Sequence, residues 1–536
     1  MRKTAITLLL ILSAAVMHGQ SAYDGLIFSE NNYEGTARSV AMGNAFTALG
    51  GDLGAVTINP AGSAVAGYSQ FSLTPGMTFT ASTAKGVSPY EDGALPYFER
   101  KIRSSMTSVN LPNIGMTINW DTGRKSGLKN VTVGFIAEKT ASYDQDVYAN
   151  GMNATTSMMG ALAAEADGLS ATDLNASNAY NFMPWRSVVA YQSGMISTYG
   201  GYDDRYAGAS ELIYDDGEIV LGGALDQTYG RRVTGSKYDY VFNVGANISD
   251  FLYIGVNLGM TSLEYGYDDY FKEAALDPED FEIVFKDGTT YFDNMKYRYS
   301  YEATGSGYYA KFGFILTPGA GFRIGAAIQT PTLNTITERW QQSGVTEFTS
   351  ASYNSSASSP EGEYSYTFRA PYRANFGAAY TLGSLALVSV DYEMCDFSTM
   401  EFRSNGTDMD YFDEVNLDIR KRFGLSHALR AGAELRLGSL AVRAGYGFTT
   451  SSEKTDAFDS EISPILRHNA SFGLGYSSKG SFFADLALRR NFAVNEYYMP
   501  YSDYVFDSED NILYPAPEIL IRKSDWKVLL TLGWRF

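Results

Sequence analysis

Side chains that could do chemistry gather in a few places along this chain. Asp268, Asp269, Glu273, Asp277, Glu279, Asp280 and Glu282 crowd one stretch. Carboxylate oxygens at that density suit calcium, but the run lacks the alternate ligand spacing and central glycine of a helix–loop–helix site, so solvated loop charge is the better reading. A serine nucleophile needs a base. Of the three histidines, His18 falls in a leader-like segment, and His427 and His468 sit in no recognisable motif. Gly305-Ser306-Gly307 and Gly473-Leu474-Gly475 lie in strand-like segments and not ahead of helices, which removes a nucleotide-binding reading. The remaining group is Arg430, Glu434, Arg436, Arg443, Asp485 and Arg489, each placed on alternating positions among apolar residues. Such residues form ion pairs on the enclosed side of a sheet, or anchor a carboxylate there. The expectation is a protein without enzymatic activity, resident metal or cofactor.

The elements that must position these charges are strands. The chain has 536 residues with 53 Gly and 40 Tyr, a composition suited to tight turns, curved sheets and membrane interfaces. Net charge is −19, which disfavours nucleic acid as a partner. One cysteine, Cys395, permits no internal disulfide and lies too far from the N-terminus to carry a lipid anchor. Arg2 and Lys3 precede an apolar run from Ala5 to Val16, with small and polar residues from His18 to Ser21. This reads as a signal peptide over 1–20, cleaved in the zone Gly19 to Ala22. No later stretch holds eighteen consecutive apolar residues. A membrane-embedded mature chain must therefore be a closed barrel, since only helices and barrels satisfy every backbone group in lipid.

Residues 21–70 read as a plug: one or two short helices broken at Gly43 and Gly50-Gly51, then an irregular segment through Asn59-Pro60-Ala61-Gly62. From 71 to 536 the pattern becomes strands of roughly ten to twenty residues. Short turns (Asp121-Thr122-Gly123, Ser249-Asp250, Pro318-Gly319, Gly383-Ser384, Gly438-Ser439, Ser478-Lys479-Gly480) alternate with long polar stretches near 83–104, 143–236, 266–298, 341–361, 403–419, 451–464 and 499–517. The fold class expected is all-β: a transmembrane antiparallel barrel of about 14 strands with an N-terminal plug. An even count puts the plug and the C-terminus at one, periplasmic, end. Around Gly438-Ser439, Leu429, Ala431, Ala433, Leu435 and Leu437 share one face with Leu440, Val442, Ala444, Tyr446 and Phe448, while the charged residues take the other. A two-residue turn there sets Glu434 opposite Arg443, both directed into the lumen. Trp526, Val528, Leu530, Leu532, Trp534 and Phe536 share one face of the last strand, the pattern by which barrel-assembly machinery recognises its clients.

Gly35 to Phe46, then Gly51-Asp52, then Asn59-Pro60-Ala61-Gly62, resemble the hatch of the FadL/TodX family of outer-membrane transporters of long-chain fatty acids and aromatic hydrocarbons. Further matches are Ala378-Ala379-Tyr380 with Leu385 to Tyr392, Arg430 to Leu435 with Val442 to Tyr446, and Phe472 to Tyr476 with Ala484 to Ala487. The resemblance implies a fourteen-stranded, plugged barrel in the outer membrane of a Gram-negative bacterium. It also implies passive uptake of a hydrophobic small molecule, with sideways exit through a wall gap near a kinked strand. Gly134 is a permissive position for that kink. Met42, Phe46, Leu49, Asn59, Pro60, Ala61 and Gly62 are the plug residues placed to touch a ligand, with plug–wall packing as their other reading. The stretch 143–236 exceeds what the family leads one to expect and holds a possible amphipathic helix, Thr155 to Ala166. Expected partners are the ligand, outer-membrane lipid and lipopolysaccharide, and the assembly machinery, with the protein monomeric. Uptake of haem or another apolar nutrient, or a non-transporting adhesin or enzyme barrel, are the alternatives.

Overall fold

A computed structural model describes residues 21–87, 97–214, 218–285, 288–406, 411–454, 466–478, 480–507 and 511–536. The signal-peptide reading, Lys479 of one turn and most of 451–464 lie outside the described residues.

Fourteen antiparallel strands close into a barrel. They are β1 (Gln70–Gly86), β2 (Ile102–Asp121), β3 (Leu128–Ser142, continued by Gln145–Asn153), β4 (Leu225–Ile248), β5 (Leu252–Ala275), β6 (Gly288–Gly319) and β7 (Phe322–Gln329, continued by Leu333–Phe348). Then follow β8 (Gly362–Arg369 and Arg373–Leu382), β9 (Ala386–Asp396, continued by Glu401–Ser404), β10 (Leu425–Leu437), β11 (Leu440–Thr449), β12 (Arg467–Ser477), β13 (Phe482–Tyr498) and β14 (Ile519–Arg535). β1 pairs with β14 from Gln70↔Arg535 to Gly86↔Ile519, which closes the ring. Ser69 and Phe536 exchange both backbone hydrogen bonds, so plug exit and C-terminus meet at one end, as the parity argument requires.

Alternation sorts the two faces. On β10 and β11, Leu429, Leu435, Leu437, Leu440 and Tyr446 are exposed, whereas Glu434 and Arg443 are buried inside. Glu434 does oppose Arg443, in the register set by the two-residue turn. The outward apolar band continues through Ile254, Val256 and Leu258, Phe312 and Phe314, Val388 and Val390, and Leu486 and Leu488. On β14 it runs from Trp526 to Phe536, about 33 Å along the strand and about 25 Å high at an ordinary barrel tilt, which is the thickness of a bilayer's hydrocarbon. An exposed apolar surface that encircles the molecule cannot be left to water. Among the described residues no helix is long and apolar enough to cross a membrane.

Three expectations need correction. The strands are longer than twenty residues where β4 and β5 have 24 and β6 has 32, because their polar upper parts stay paired beyond the apolar band. The stretches near 143–236 and 266–298 are shorter as loops for the same reason. Asp268, Asp269 and Glu273 stand on β5 and not in a loop. The segment at Asn59 is ordered: Asn59 caps a 3-10 turn, Pro60–Val65.

The plug threads the lumen from the end at which the C-terminus lies, as α1 (Ala22–Ser29), α2 (Ala37–Ala41), α3 (Leu53–Val56) and that turn. Gly43, Gly50 and Gly51 break it with φ of 64°, 64° and 72°. The opposite end carries α4 (Met158–Ala166), α5 (Ala171–Leu174) and α6 (Trp185–Gln192), which share a buried core with the tops of the strands, while α7 (Asp413–Arg422) lies between β9 and β10. Ser157 caps α4, so the helix starts three residues later than Thr155.

Candidate functional site

The wall grips the plug in two ways. Inward-facing glycines on eight strands (Gly245, Gly255, Gly313, Gly325, Gly377, Gly432, Gly445 and Gly473) form a smooth collar, where an added β-carbon would come under 3.0 Å from a neighbouring atom, nearly always one of the plug. Between them, wall side chains satisfy plug backbone groups. Asn257 donates to the Val56 carbonyl (2.8 Å), Lys311 to Thr57 (2.8 Å) and Arg323 to Leu49 (2.8 Å), while Asp391 accepts from the Thr47 amide (2.6 Å). Buried backbone groups must be paired, and here the barrel pairs them.

Arg38 of α2 joins the charge cluster foreseen from sequence. Glu434 accepts from Arg38 (3.0 Å), Arg436 (2.6 Å) and Arg443 (2.6 Å), and Arg443 also binds Asp485 (2.6 Å). Arg430 pairs instead with Glu393 (2.9 Å), and Arg489 donates to Asn491 (3.1 Å). All of these charged groups but Arg489 are ion-paired. Met42, Phe46, Leu49, Asn59, Pro60, Ala61 and Gly62 are all buried, with Met42, Phe46 and Leu49 packed against Ala379 and Leu387 of the wall. Asn59 donates to the carbonyls of Thr47 (2.7 Å) and Phe314 (3.0 Å). This set packs between plug and wall, and Asn59 ties the two together.

A different site lies above the plug, and the sequence reading missed it. Inward positions of several strands and α7 build an aromatic chamber: Tyr143 on the β3 link, Tyr265 on β5, Tyr301 on β6, Tyr366 and Phe368 on β8, Phe402 on β9, and Phe412 at the start of α7. Its occupant is the chain itself. Phe28 of α1 reaches in, its ring 6.3 Å from Tyr265 and 5.9 Å from Phe368, edge-on to both. The C-terminal end of α1, where carbonyls carry the negative end of the helix dipole, meets cations. Lys237 donates to the carbonyls of Phe28 (3.2 Å) and Glu30, Arg373 to that of Ser29, and Tyr143 to that of Ile27 (3.1 Å). The chamber thus pairs an aromatic body with a cationic foot. The signal for it was present: tyrosines recur at Tyr265 and Tyr267 and at Tyr297, Tyr299 and Tyr301, on the parity opposite to the outward apolar residues of β5 and β6, and again at Tyr364 and Tyr366.

The wall near the chamber is interrupted. β7, β8 and β9 each break at one level, at Pro331, at Pro371 and at the 3-10 turn Phe397–Thr399. Proline offers no N–H to a ladder. On the other side, β2 pairs with β3 only from Asn113↔Glu138 to Asp121↔Asn130, leaving 102–112 without a ladder partner on that edge among the described residues. β3 shifts register between Lys139 and Ala141, and Tyr238 reaches the free Leu111 carbonyl (3.4 Å). Gly134 itself sits in unbroken register opposite Thr117, so the irregularity falls above it.

Over the mouth, well above the apolar band, the head holds two carboxyls, Glu273 buried and Glu211 half-buried. Glu273 accepts from Ser157 Oγ (2.6 Å), the Met158 amide (2.9 Å) and Gln227 (2.7 Å); Glu211 accepts from the Gly208 amide (2.7 Å). Burial pushes both up to about 7 against those hydrogen bonds.

No protein-family model matches the chain, and no curated protein matches it. Solved structures to which it is similar include a Pseudomonas aeruginosa FadL homologue, at 11% identity over 94% of this chain and 98% of that one, with a TM-score of 0.48. The toluene transporter TodX of P. putida stands at 11% identity, 94% and 99% coverage and 0.49, and the toluene transporter TbuX of Ralstonia pickettii at 13%, 94% and 99%, and 0.45.

Proposed function

We propose that this protein is a FadL-type barrel of a Gram-negative outer membrane that takes up long-chain fatty acids passively. The observation that carries the reading is the self-occupied chamber. Rings surround an apolar side chain, and Lys237 and Arg373 hold carbonyl oxygens where a carboxylate head would accept the same hydrogen bonds. A fatty acid entering from outside displaces α1, lodges its tail among the rings and its head on Lys237, and leaves sideways along the unpaired edge of β2 above Gly134. The aromatic lining also suits an uncharged hydrocarbon, and the cationic foot separates the two.

The test uses purified protein and radiolabelled oleate. Phe28→Ala removes the occupant's ring and is expected to tighten oleate binding about tenfold, while Lys237→Met weakens oleate and leaves toluene binding unchanged. Unchanged oleate affinity in Lys237→Met, with toluene bound, would assign the chamber to hydrocarbons. A Ser29→Cys/Met400→Cys pair in a Cys395→Ser background locks α1 in place, since Ser29 Oγ already meets Met400 Sδ at 3.2 Å. Liposomes carrying the oxidised form should take up no oleate and regain uptake on reduction. Equal uptake in both states sinks the proposal.

A further inference from the structure

The outward face of a barrel normally balances its charges above the apolar band, and this one mostly does. Arg232 is matched by Asp146 across the strands, Arg298 by Asp268 and Arg339 by Glu363. In one sector, cations gather from four neighbouring strands. Lys85 on β1, Lys101 and Arg103 at the start of β2, Arg490 on β13 and Arg522 on β14 all face outward, and none makes an ion pair with a described residue. Five cations without an ion-pair partner among the described residues stand near one another on a chain whose net charge is −19.

Strand pairing brings them side by side. Thr83 lies opposite both Arg103 and Arg522, Lys85 is two residues further along, and Arg490 pairs with Trp526. The outward residues between them are small, Ala81, Thr83 and Ser524, and with Lys101, Arg103 and Arg490 these line a groove of about 450 Å³, with Lys85 and Arg522 nearby on the adjoining strands. Arg490 is held in place by a hydrogen bond to Ser524 (3.0 Å) and by stacking 5.1 Å over the Trp526 ring. Directly below lie Met77, Phe79 and Trp526, the upper edge of the exposed apolar band. The guanidiniums therefore stand within about 10 Å of height above the hydrocarbon boundary, the depth at which lipid phosphates lie, and the backbone of the two lysines about 15 Å above it.

We infer that this groove binds the phosphorylated headgroup of an outer-leaflet lipid, the glucosamine phosphates of lipid A, with its acyl chains laid on Phe79 and Trp526. Arginine and lysine at a rim of this kind are attracted to anionic headgroups, and arginine forks onto phosphate oxygens. The inference rests on the outer-membrane reading above.

Native mass spectrometry of the detergent-solubilised full-length protein tests it, with bisphosphorylated lipid A, fully dephosphorylated lipid A and inorganic phosphate as probes. The wild type is expected to bind the bisphosphorylated form at least tenfold more tightly than the dephosphorylated one, with no displacement by equimolar inorganic phosphate. Arg103→Gln/Arg490→Gln should lose that preference, while Arg232→Gln, a paired outward arginine, keeps it. Equal preference in wild type and the double variant overturns the inference, as does an equal loss in Arg232→Gln or displacement by inorganic phosphate. A gel shift on heating verifies that each variant is a folded barrel. Membrane fractionation separates the two failures: recovery away from the outer membrane refutes the location, whereas recovery there without phosphate preference refutes only the groove.

Discussion

Glu434→Gln is the substitution that most directly probes how plug and barrel are held together. The side chain is 1% exposed and receives three guanidiniums, from Arg38, Arg436 and Arg443. Neutralising it leaves those three with Asp485 alone. Removing one partner of a buried pair costs about 3–5 kcal/mol, chiefly through the stranded charge. Arg436 is 44% exposed and turns to water, so the penalty falls on Arg443 and on Arg38 of α2. Arg38→Met removes the plug's contribution, and in the Glu434→Gln background it should cost much less than in the wild type. A coupling of about 2 kcal/mol between the two sites follows. The assay is urea unfolding from lipid vesicles followed by tryptophan fluorescence, together with hydrogen exchange at the amides of α2. Both single variants should expose α2 to exchange before the strands unfold. Additivity within about 0.5 kcal/mol would refute the claim that this carboxylate ties the plug to the wall.

Asn59→Ala removes donors from the buried carbonyls of Thr47 and Phe314 and should destabilise the plug by about 1–3 kcal/mol, read by the same exchange measurement. Gly445→Leu puts a side chain where the backbone of Met42 and Gly43 passes, so the barrel should form with its plug expelled, seen as protease cleavage within 35–65. Glu273 gives the head a pH dependence. Its folded value of about 7 lies above the ordinary 4.5, so the folded head holds the proton longer than the unfolded chain, and stability is lost as pH rises through that interval, by about 3 kcal/mol in all. Protection of the α4 amides, corrected for intrinsic exchange, should therefore fall between pH 5 and 8 in the wild type, and Glu273→Gln should flatten that fall; a pH-independent wild type contradicts it.

How much of this was legible in the sequence follows from how far each feature reaches along the chain. The Glu434–Arg443 pair was readable because a two-residue turn fixes register, and period-two alternation then assigns both faces without further information. The belt was readable for the same reason, strand by strand. The plug helices α2 and α3 announced themselves through glycine breaks, yet α1 did not. Its residues Ala22 to Ser29 carry no marked amphipathic stripe, since apolar side chains take both its buried positions, Ala22 and Phe28, and its more open ones, Tyr23, Leu26 and Ile27.

The chamber and the collar escaped for a deeper reason. Each strand contributes one or two residues to either, and those residues come from positions as distant as 28, 143, 301 and 402. On any one strand an inward tyrosine resembles an outward one, and an inward glycine resembles a turn residue. Only the change of phase betrays them. Below the chamber, inward positions of β5 are Gly255, Asn257 and Gly259, small or polar because the plug fills the space. At its level they become Leu263, Tyr265 and Tyr267. A barrel that hid only ion pairs would keep its interior polar to the mouth. This one turns apolar inside at the level where it stops being apolar outside, and an interior of that kind must hold an apolar guest, either α1 or the molecule that takes its place.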